Sequence, residues 1–157
     1  SMETTLIIMK PDALKRRLMG QILERFERKG LQVVGLKMAH LRRELVEEHY
    51  APHREKPFYE GLVSYMTGNP VVLMAVRGLR AIEVCRKIMG KTFGYEAEPG
   101  TIRGDFGISR SMNLVHGSDS PESARKELDL FFSAHEIFDD APVDLEWTYD
   151  PREELGS

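Results

Sequence analysis

Two continuous, predominantly apolar runs of strand length leave few folds open to this chain: Thr4–Met9 and Val71–Val76. A run without polar alternation is typical of a strand that is buried on both faces. Each run therefore predicts a central strand of a sheet with other elements packed on both sides. Apolar residues alternate within Leu31–His40, which predicts a further strand. No apolar run approaches the length that a membrane-spanning helix needs.

Apolar residues recur at helical spacing in the segments between these strands. One such stripe begins at Leu18 and ends before Gly30, a natural helix stop. Further helices are predicted at Arg43–Tyr50, Pro57–Met66, Ala81–Met89 and Pro121–Phe132. Helices between short strands indicate an α+β sandwich. Periodicity alone does not separate that sandwich from a small parallel α/β fold.

Two segments lack a helical period. Gly94–Gly107 contains several glycines and a proline, which predicts a long ordered loop, and loops of that length are usually functional. Val143–Tyr149 is predicted to be a final short strand or extended segment. With 157 residues in total, we expect one domain over residues 1–150 and a polar tail over residues 151–157.

Charge and cysteine content narrow the partners and the compartment. The net charge of −3 indicates neither a nucleic acid nor a membrane as the main partner. The single Cys85 cannot form an internal disulfide, which suits a reducing cytosol. No signal segment opens the chain, which favours the cytoplasm. An organellar protein without its transit peptide would have the same features.

The stretch around His116 predicts a strand, a tight turn and a helix. Residues 114–115 fit the end of a buried strand, and Gly117 fits a turn. Ser120–Pro121 then combines a good N-cap with a proline at the first helical position. Glu127 follows on the same helix, where its carboxylate would reach back towards the imidazole.

A histidine at a strand end, taken alone, is more often structural than catalytic. The surroundings of His116 change that balance, because the N–H groups at a helix N-terminus favour an anion. A carboxylate such as Glu127 on one ring nitrogen fixes the tautomer and leaves the other nitrogen as a nucleophile. Ser118 and Asp119 add polar groups beside the ring. The pattern indicates a histidine that handles phosphate.

At these residues the chain resembles a known family. Asn113–Asp119, with the sequence N-L-V-H-G-S-D, is similar to the active-site signature of nucleoside diphosphate kinases. The resemblance extends over nearly the whole chain through the blocks Met9–Asp12, Phe26–Gly30, His49–Tyr50, Pro57–Leu62 and Pro99–Phe106. It implies a ferredoxin-like α+β sandwich, in which helices pack on a four-stranded antiparallel sheet.

The resemblance implies an enzyme that moves the γ-phosphoryl group of a nucleoside triphosphate to a nucleoside diphosphate by a ping-pong mechanism. His116 would take the phosphoryl group first, and a different diphosphate would then remove it. Glu127 would orient His116, and Lys10 and Ser118 would complete the catalytic set. Mg²⁺ would bridge the phosphates and be held mostly by substrate oxygens, with Asp119 acting through water.

The resemblance also assigns the nucleotide-binding residues. Phe58 is expected to stack on the base, and stacking on an aromatic face tolerates any base, which implies broad base tolerance. The resemblance also implies broad tolerance of the sugar. Asn113 is expected to bind the sugar hydroxyl. The other expected nucleotide-binding residues are Lys10, Tyr50, Leu62, Arg86, Thr92, Arg103 and Arg110.

Three positions depart from the family pattern. Arg110 stands where a small apolar residue often covers the second face of the base, and its guanidinium is expected to stack there instead. Met112 replaces an arginine. Gly94 replaces a proline in a loop that packs subunits, so Gly94→Pro is expected to strengthen that packing. The family implies a homo-oligomer, and the segment beyond Trp147 favours a hexamer over a tetramer.

Two readings without kinase activity remain. In the first reading, the chain is a catalytically silent regulatory module that still binds nucleotides. The presence of His116, Glu127 and Lys10 argues against it. The second reading, a protein that chiefly binds nucleic acid, conflicts with the net negative charge.

Overall fold

One antiparallel sheet forms the centre of the computed structural model, which describes residues 2–153. Its strands are β1 (Met2–Met9), β2 (Gln32–Ala39), β3 (Val71–Leu79) and β4 (Val115–Gly117). Their order across the sheet is β2-β3-β1-β4. The two apolar runs therefore form the central pair, as predicted. Predictions for Ser1 and for residues 154–157 of the tail lie outside the described residues.

Helices cover both faces of the sheet. Those within residues 2–153 are α1 (Pro11–Lys15), α2 (Met19–Arg28), α3 (Arg43–His49), α4 (Tyr59–Thr67), α5 (Ala81–Met89), α6 (Ile102–Phe106), α7 (Pro121–Phe131) and α8 (Leu145–Thr148). The five helices predicted from periodicity are confirmed within about two residues at each end. Among the described helices, none has the length and apolar character needed to cross a membrane.

The sheet separates two apolar cores. On one face, Ile7 and Met74 pack with residues of α2 and α5, including the fully buried Phe26. On the other face, Leu6 and Ile8 pack with residues of α3, α4 and α7. Both faces of β1 are therefore buried, which explains why this strand shows no polar alternation.

The register of β4 decides where His116 lies. His116 pairs with Ile8 of β1, and Val115 pairs with Met9. Neighbouring residues of a strand point to opposite faces, and Val115 belongs to the core beneath α2 and α5. His116 consequently lies on the other face, beside His49 at the end of α3 and Glu127 of α7.

The prediction of a loop throughout Gly94–Gly107 is wrong. Gly94–Glu96 forms a 3₁₀ turn, and Ile102–Phe106 forms the short helix α6. Thr101 caps α6, because its hydroxyl accepts a hydrogen bond from the backbone N–H of Gly104 at 2.9 Å. A five-residue helix is too short to show a periodic pattern, so only the cap was readable in the sequence.

The prediction of a strand at Val143–Tyr149 is also wrong, because Leu145–Thr148 forms α8. The hydroxyl of Tyr149 accepts a hydrogen bond from the backbone N–H of Leu79 at 3.1 Å, so this segment folds back onto the end of β3. Trp147 remains largely exposed.

The unusual backbone angle near His116 lies at Leu114, before β4, rather than at Gly117. Gly117 belongs to β4, and a Cβ there would lie 2.5 Å from the Met89 Cε, so glycine provides room for packing and makes no turn. Leu114 has a φ of 74°, which is uncommon for a residue with a side chain. The carboxylate of Asp12 accepts a hydrogen bond from the Leu114 N–H at 3.0 Å and holds this conformation.

Gly94 cannot accommodate a proline, which contradicts the expectation drawn from its replacement. Its N–H donates a hydrogen bond to the carbonyl of Ser109 at 3.1 Å, which proline would remove. A Cβ at Gly94 would also lie 2.5 Å from the carbonyl carbon and oxygen of Gly107. Rigid backbone on that side leaves no space for any side chain.

We expect Gly94→Ala to lower the free energy of unfolding by about 1–3 kcal/mol, because the Gly107 backbone must move. Thermal unfolding at fixed protein concentration measures this loss. Gly20→Ala is the matched control, since a Cβ at Gly20 in α2 meets nothing within 4 Å. That control should unfold at the wild-type temperature or above it. Equal midpoints for Gly94→Ala and wild type would contradict the expected clash.

Candidate active site

His116, Glu127 and Ser118 form one hydrogen-bonded group. The Nε2 of His116 lies 2.9 Å from Oε1 of Glu127, and the Ser118 hydroxyl donates to the same oxygen at 2.8 Å. Ser118 is buried, and its backbone N–H donates to the carbonyl of Leu6 at 3.2 Å. Three of the four predicted catalytic residues therefore meet at the junction of β4 and α7.

The protonation of Glu127 determines the tautomer of His116. Burial acts to raise the pKa of Glu127, but the hydrogen bonds from His116 and Ser118 outweigh it and hold this pKa below its usual range. An ionised carboxylate only accepts hydrogen bonds, so Nε2 of His116 must donate. The lone pair of a neutral His116 then lies on Nδ1, where it is free to attack an electrophile.

His49, at the end of α3, packs directly against His116. The two rings meet edge to face, with centroids 4.8 Å apart and an angle of 89° between their planes. The ring of Phe131 also packs against His49, with centroids 5.3 Å apart. Burial, followed by the neighbouring His116, lowers the pKa of His49 to about 3, so its ring is neutral at pH 7.

Lys10 follows β1 and reaches the site from the centre of the sheet. Its Nζ donates to Oδ1 of Asn113 at 2.9 Å and to the carbonyl of Ser111 at 3.2 Å. Burial lowers the pKa of Lys10, and the nearby charge of Asp12 opposes that effect. The amide of Asn113 in turn donates to the carbonyl of Thr92 at 3.2 Å. Lys10 is therefore held in place by fixed acceptors.

Arg103 is a buried cation that ties α6 to two backbone segments, at Gly90 and at 113–115. Its guanidinium donates to the carbonyls of Asn113 at 3.0 Å, Gly90 at 2.8 Å and Val115 at 2.6 Å. Burial and then the charge of Arg86 lower the pKa of Arg103 to about 10. Three of its five N–H groups are engaged, so two remain available, and Arg103 lines the cavity in front of His116.

A cavity of about 440 Å³ lies in front of His116. Arg86 reaches its wall from α5, and its Nη1 lies 3.3 Å from the carbonyl of Gly117. Burial raises the pKa of Tyr50, which keeps its hydroxyl neutral. The cavity brings together the predicted residues Lys10, Tyr50, Arg86, Thr92, Arg103, Asn113, His116, Asp119 and Glu127.

A second, more apolar cavity of about 450 Å³ shares Lys10 and Asn113 with the first. Phe58, Leu62 and Met112 line it. Phe58 is about half exposed, with a relative accessibility of 52%, so its ring presents a free face. The two joined cavities provide a cationic end and an aromatic end.

Arg110 does not line either cavity. Its guanidinium carbon lies 4.6 Å from the centre of the Phe93 ring, in a cation–π contact. Phe93 itself stacks on Tyr95, with centroids 5.9 Å apart. The expected base-stacking position of Arg110 is therefore not adopted in this structure.

Sequence reasoning assigned no role to two residues that shape the site. Asp12 accepts hydrogen bonds from Leu114 and from the hydroxyl of Tyr65, the latter at 2.8 Å. His49 contacts His116 across a gap of more than sixty residues in the chain, which local patterns do not reveal. The only signal in the sequence was that Asp12 and His49 belong to the blocks Met9–Asp12 and His49–Tyr50, which match the family.

Comparison with known proteins decides the family. Residues 3–137 match the family described as Nucleoside diphosphate kinase. The nucleoside diphosphate kinase of Archaeoglobus fulgidus is 51% identical over 151 residues, which cover 96% of this chain and 100% of that protein. The enzyme of Pyrococcus abyssi is 54% identical over 150 residues, or 94% of each chain. The chain belongs to the nucleoside diphosphate kinase family.

Solved structures of nucleoside diphosphate kinases share the fold. The enzyme of Halobacterium salinarum, solved in complex with CDP, has a TM-score of 0.92 and 42% identity, and the match covers 96% of this chain and 100% of that one. These findings confirm the predicted family, the ferredoxin-like fold and the prediction of a nucleotide kinase. Of the signature Asn113–Asp119, five residues line the cavity in front of His116: Asn113, Val115, His116, Gly117 and Asp119.

Proposed function

We propose that this protein transfers the γ-phosphoryl group of nucleoside triphosphates to nucleoside diphosphates through a phosphohistidine on His116. The observation that carries the proposal is the hydrogen bond from Nε2 to Glu127, because it leaves the lone pair on Nδ1. Nδ1 forms a bond to the γ-phosphorus while the bond to the bridging oxygen breaks and a diphosphate leaves. A second diphosphate attacks the same phosphorus and restores His116.

The cations at the cavity stabilise the charge on the transferred group. Phosphoryl transfer depends mainly on in-line positioning and on neutralising oxygen charge. Lys10, Arg86 and Arg103 provide three positive charges on the wall of the cavity that contains His116. Thr92 and Tyr50 add hydroxyl groups to the same wall. These residues are proposed to bind the phosphates, and Ser118 acts by holding Glu127.

The apolar cavity is proposed to bind the base and the sugar. Phe58 and Leu62 offer apolar contacts that do not distinguish one base from another. Asn113 lies between the two cavities, where it would meet the sugar hydroxyl. Broad base tolerance follows from these contacts, and broad sugar tolerance is proposed together with it. Arg110 would have to leave Phe93 to stack on a base.

Mg²⁺ is proposed to accompany the nucleotide. Asp119 fits this ion, because it lines the cavity and a hydrogen bond from Ser123 holds its pKa below the usual range. A single ionised carboxylate suits a magnesium ion that keeps phosphate oxygens and water as its other ligands. The ion would neutralise phosphate charge when bound.

A cytoplasmic homohexamer with one kinase domain over residues 1–150 and a polar tail over 151–157 remains our proposal for assembly and location. Support for association comes from exposed apolar side chains at Leu36 and Met38 on the edge strand β2, and at Trp147. Because Tyr149 folds back onto its own chain, Trp147 is the better candidate for a contact with a neighbour.

Incubation with γ-labelled ATP in the absence of an acceptor tests the function. The protein should take up label that is lost in acid and kept in alkali, as expected for a phosphoramidate, and GDP or UDP should remove it. His116→Ala should take up none, whereas the matched surface variant His135→Ala should label as wild type does. Stable label on Ser118 or Ser120, or normal turnover in His116→Ala, would refute the mechanism. A silent regulatory module would bind nucleotides without any label.

A further inference from the structure

The active site contains a group of three partly buried side chains that could ligate a metal. One nitrogen each of His49 and His116 and one carboxylate oxygen of Glu127 all lie within 4.8 Å of one another. We propose that these three side chains bind a divalent transition-metal ion of the zinc type, and that this ion inhibits phosphoryl transfer. The site is separate from the magnesium that accompanies the nucleotide.

His49 provides an independent observation. Its Nε2 is buried, and within residues 2–153 this nitrogen has no hydrogen-bond partner. Buried polar atoms are almost always satisfied, and leaving one unsatisfied costs free energy. A metal ion on this nitrogen would supply the missing partner. Phe131 and Tyr50 pack against the His49 ring and keep it beside His116.

The donor set favours zinc over magnesium. Two imidazole nitrogens and one carboxylate form a set that zinc uses in proteins, with water in the fourth position. Magnesium demands oxygen ligands and keeps several waters, so two histidines do not suit it. Ser118 already holds the Glu127 oxygen at 2.8 Å, which is the kind of outer hydrogen bond that orients a metal ligand.

The spacing of the ligands requires only a small movement. Ligand atoms around a tetrahedral zinc ion lie about 3.3 Å apart, given bonds of about 2.0–2.1 Å. His116 Nε2 and Glu127 Oε1, 2.9 Å apart, are already close to that spacing. Since the widest separation in the group is 4.8 Å, the third ligand needs to move by about 1.5 Å. A rotation of the His49 or Glu127 side chain provides this.

Metal binding would remove the nucleophile. A metal ion on Nε2 of His116 takes the electron pair of the N–H bond, and the proton moves to Nδ1. Nδ1 then has no lone pair for the γ-phosphorus, so no phosphohistidine forms. This consequence rests on the proposed function of His116, whereas the binding itself does not. The positive charges of Lys10, Arg86 and Arg103 at the cavity weaken the binding of any cation, so the site should respond to added metal rather than retain it permanently.

Titration of the nucleotide-free protein with Co²⁺ tests the binding, because tetrahedral cobalt absorbs strongly in the visible range. Wild type should develop this absorption, and Zn²⁺ should abolish it by displacement. His49→Gln should weaken Zn²⁺ binding by at least about tenfold in that competition. His53→Gln is the matched control, since His53 lines the same cavity and has a buried unpartnered Nδ1 but lies outside the ligand group. It should bind both metals as wild type does.

The same variants test the inhibition. Zn²⁺, with Mg²⁺-ATP present, should slow the labelling of wild type and of His53→Gln, each relative to its own rate without zinc. His49→Gln should resist zinc by a similar tenfold factor, and Glu127→Gln serves as a second variant if His49→Gln does not fold. The proposal would be overturned by any of three results. Wild type could fail to develop tetrahedral cobalt absorption, both ligand variants could bind zinc as tightly as wild type, or zinc could bind without slowing the labelling. If wild type takes up no label even without zinc, the proposed function fails, while the cobalt spectrum still reports on the site.

Discussion

Arg103→Lys should unfold about 6–12 °C below wild type. The guanidinium of Arg103 donates to three carbonyl groups, and a lysine at this position reaches one of them. The loss of two hydrogen bonds from a charged donor, each contributing about 1.5–3 kcal/mol, lowers the free energy of unfolding by about 3 kcal/mol or more. A loss of that size in a chain of this length corresponds to the stated change in midpoint.

Arg86→Lys is the matched control for stability. Arg86 is exposed, and its one described hydrogen bond, to the carbonyl of Gly117, is long at 3.3 Å. Its midpoint should stay within about 3 °C of wild type, as is usual for a surface substitution. Both variants lose a guanidinium from the cavity wall and should lose activity. Their unfolding midpoints therefore separate the structural role of Arg103 from the role in phosphate binding that both arginines share. Equal midpoints for Arg103→Lys and wild type would show that the three carbonyl contacts do not support the fold.

The sheet and its cover were predictable because their signals are local. Thr4–Met9 and Val71–Val76 show no alternation of apolar and polar residues, since both faces of these strands are buried. Ser120 and Pro121 marked the start of α7, and the Ser120 hydroxyl does accept a hydrogen bond from Ser123 N–H at 3.0 Å. Burial patterns and helix caps depend on residues that are close together in the sequence, so no tertiary information was needed to predict them.

Short helices and positive backbone angles were not predictable in the same way. α6 and α8 contain five and four residues, which is less than two helical turns, and no periodicity can appear over that length. The positive φ of Leu114 depends on the carboxylate of Asp12, which lies more than a hundred residues away in the chain. The sequence pointed to Gly117 as the turn residue because glycine is the residue that most readily adopts a positive φ.

The candidate site was predictable as a set of residues but not as a geometry. The family resemblance gathered His116, Glu127 and Lys10, yet it gave neither the ring nitrogen that Glu127 contacts nor the position of His49 against the ring. Those features come from the register of β4 and the end of α3, which meet only in the folded sheet. The unexpected contact between Arg110 and Phe93 arises for the same reason, from two loops that the sheet brings together.

Glu127→Ala should lower kcat by about a hundredfold and leave the KM for nucleotides nearly unchanged. Glu127 fixes the ring of His116 through Nε2 and does not itself provide a positive charge for phosphate. Misplacing a reacting group by about 1 Å is enough for a loss of that size, and an interaction that matters only during transfer affects kcat rather than binding. Steady-state kinetics with a triphosphate donor and a diphosphate acceptor measure both constants.

A tautomer measurement separates orientation from a merely structural effect of the same substitution. The imidazole ¹⁵N signals of His116 in wild type should report a proton on Nε2, whereas Glu127→Ala should show a mixture with the proton on Nδ1. Ser118→Ala is the matched variant, because it removes the other hydrogen bond to Oε1 and keeps the contact with the ring. It should retain the Nε2–H tautomer and lose no more than about tenfold in kcat, the equivalent of about 1.4 kcal/mol. A wild-type tautomer in Glu127→Ala together with a large rise in KM would assign Glu127 to substrate binding, since the ring would then be oriented by other contacts.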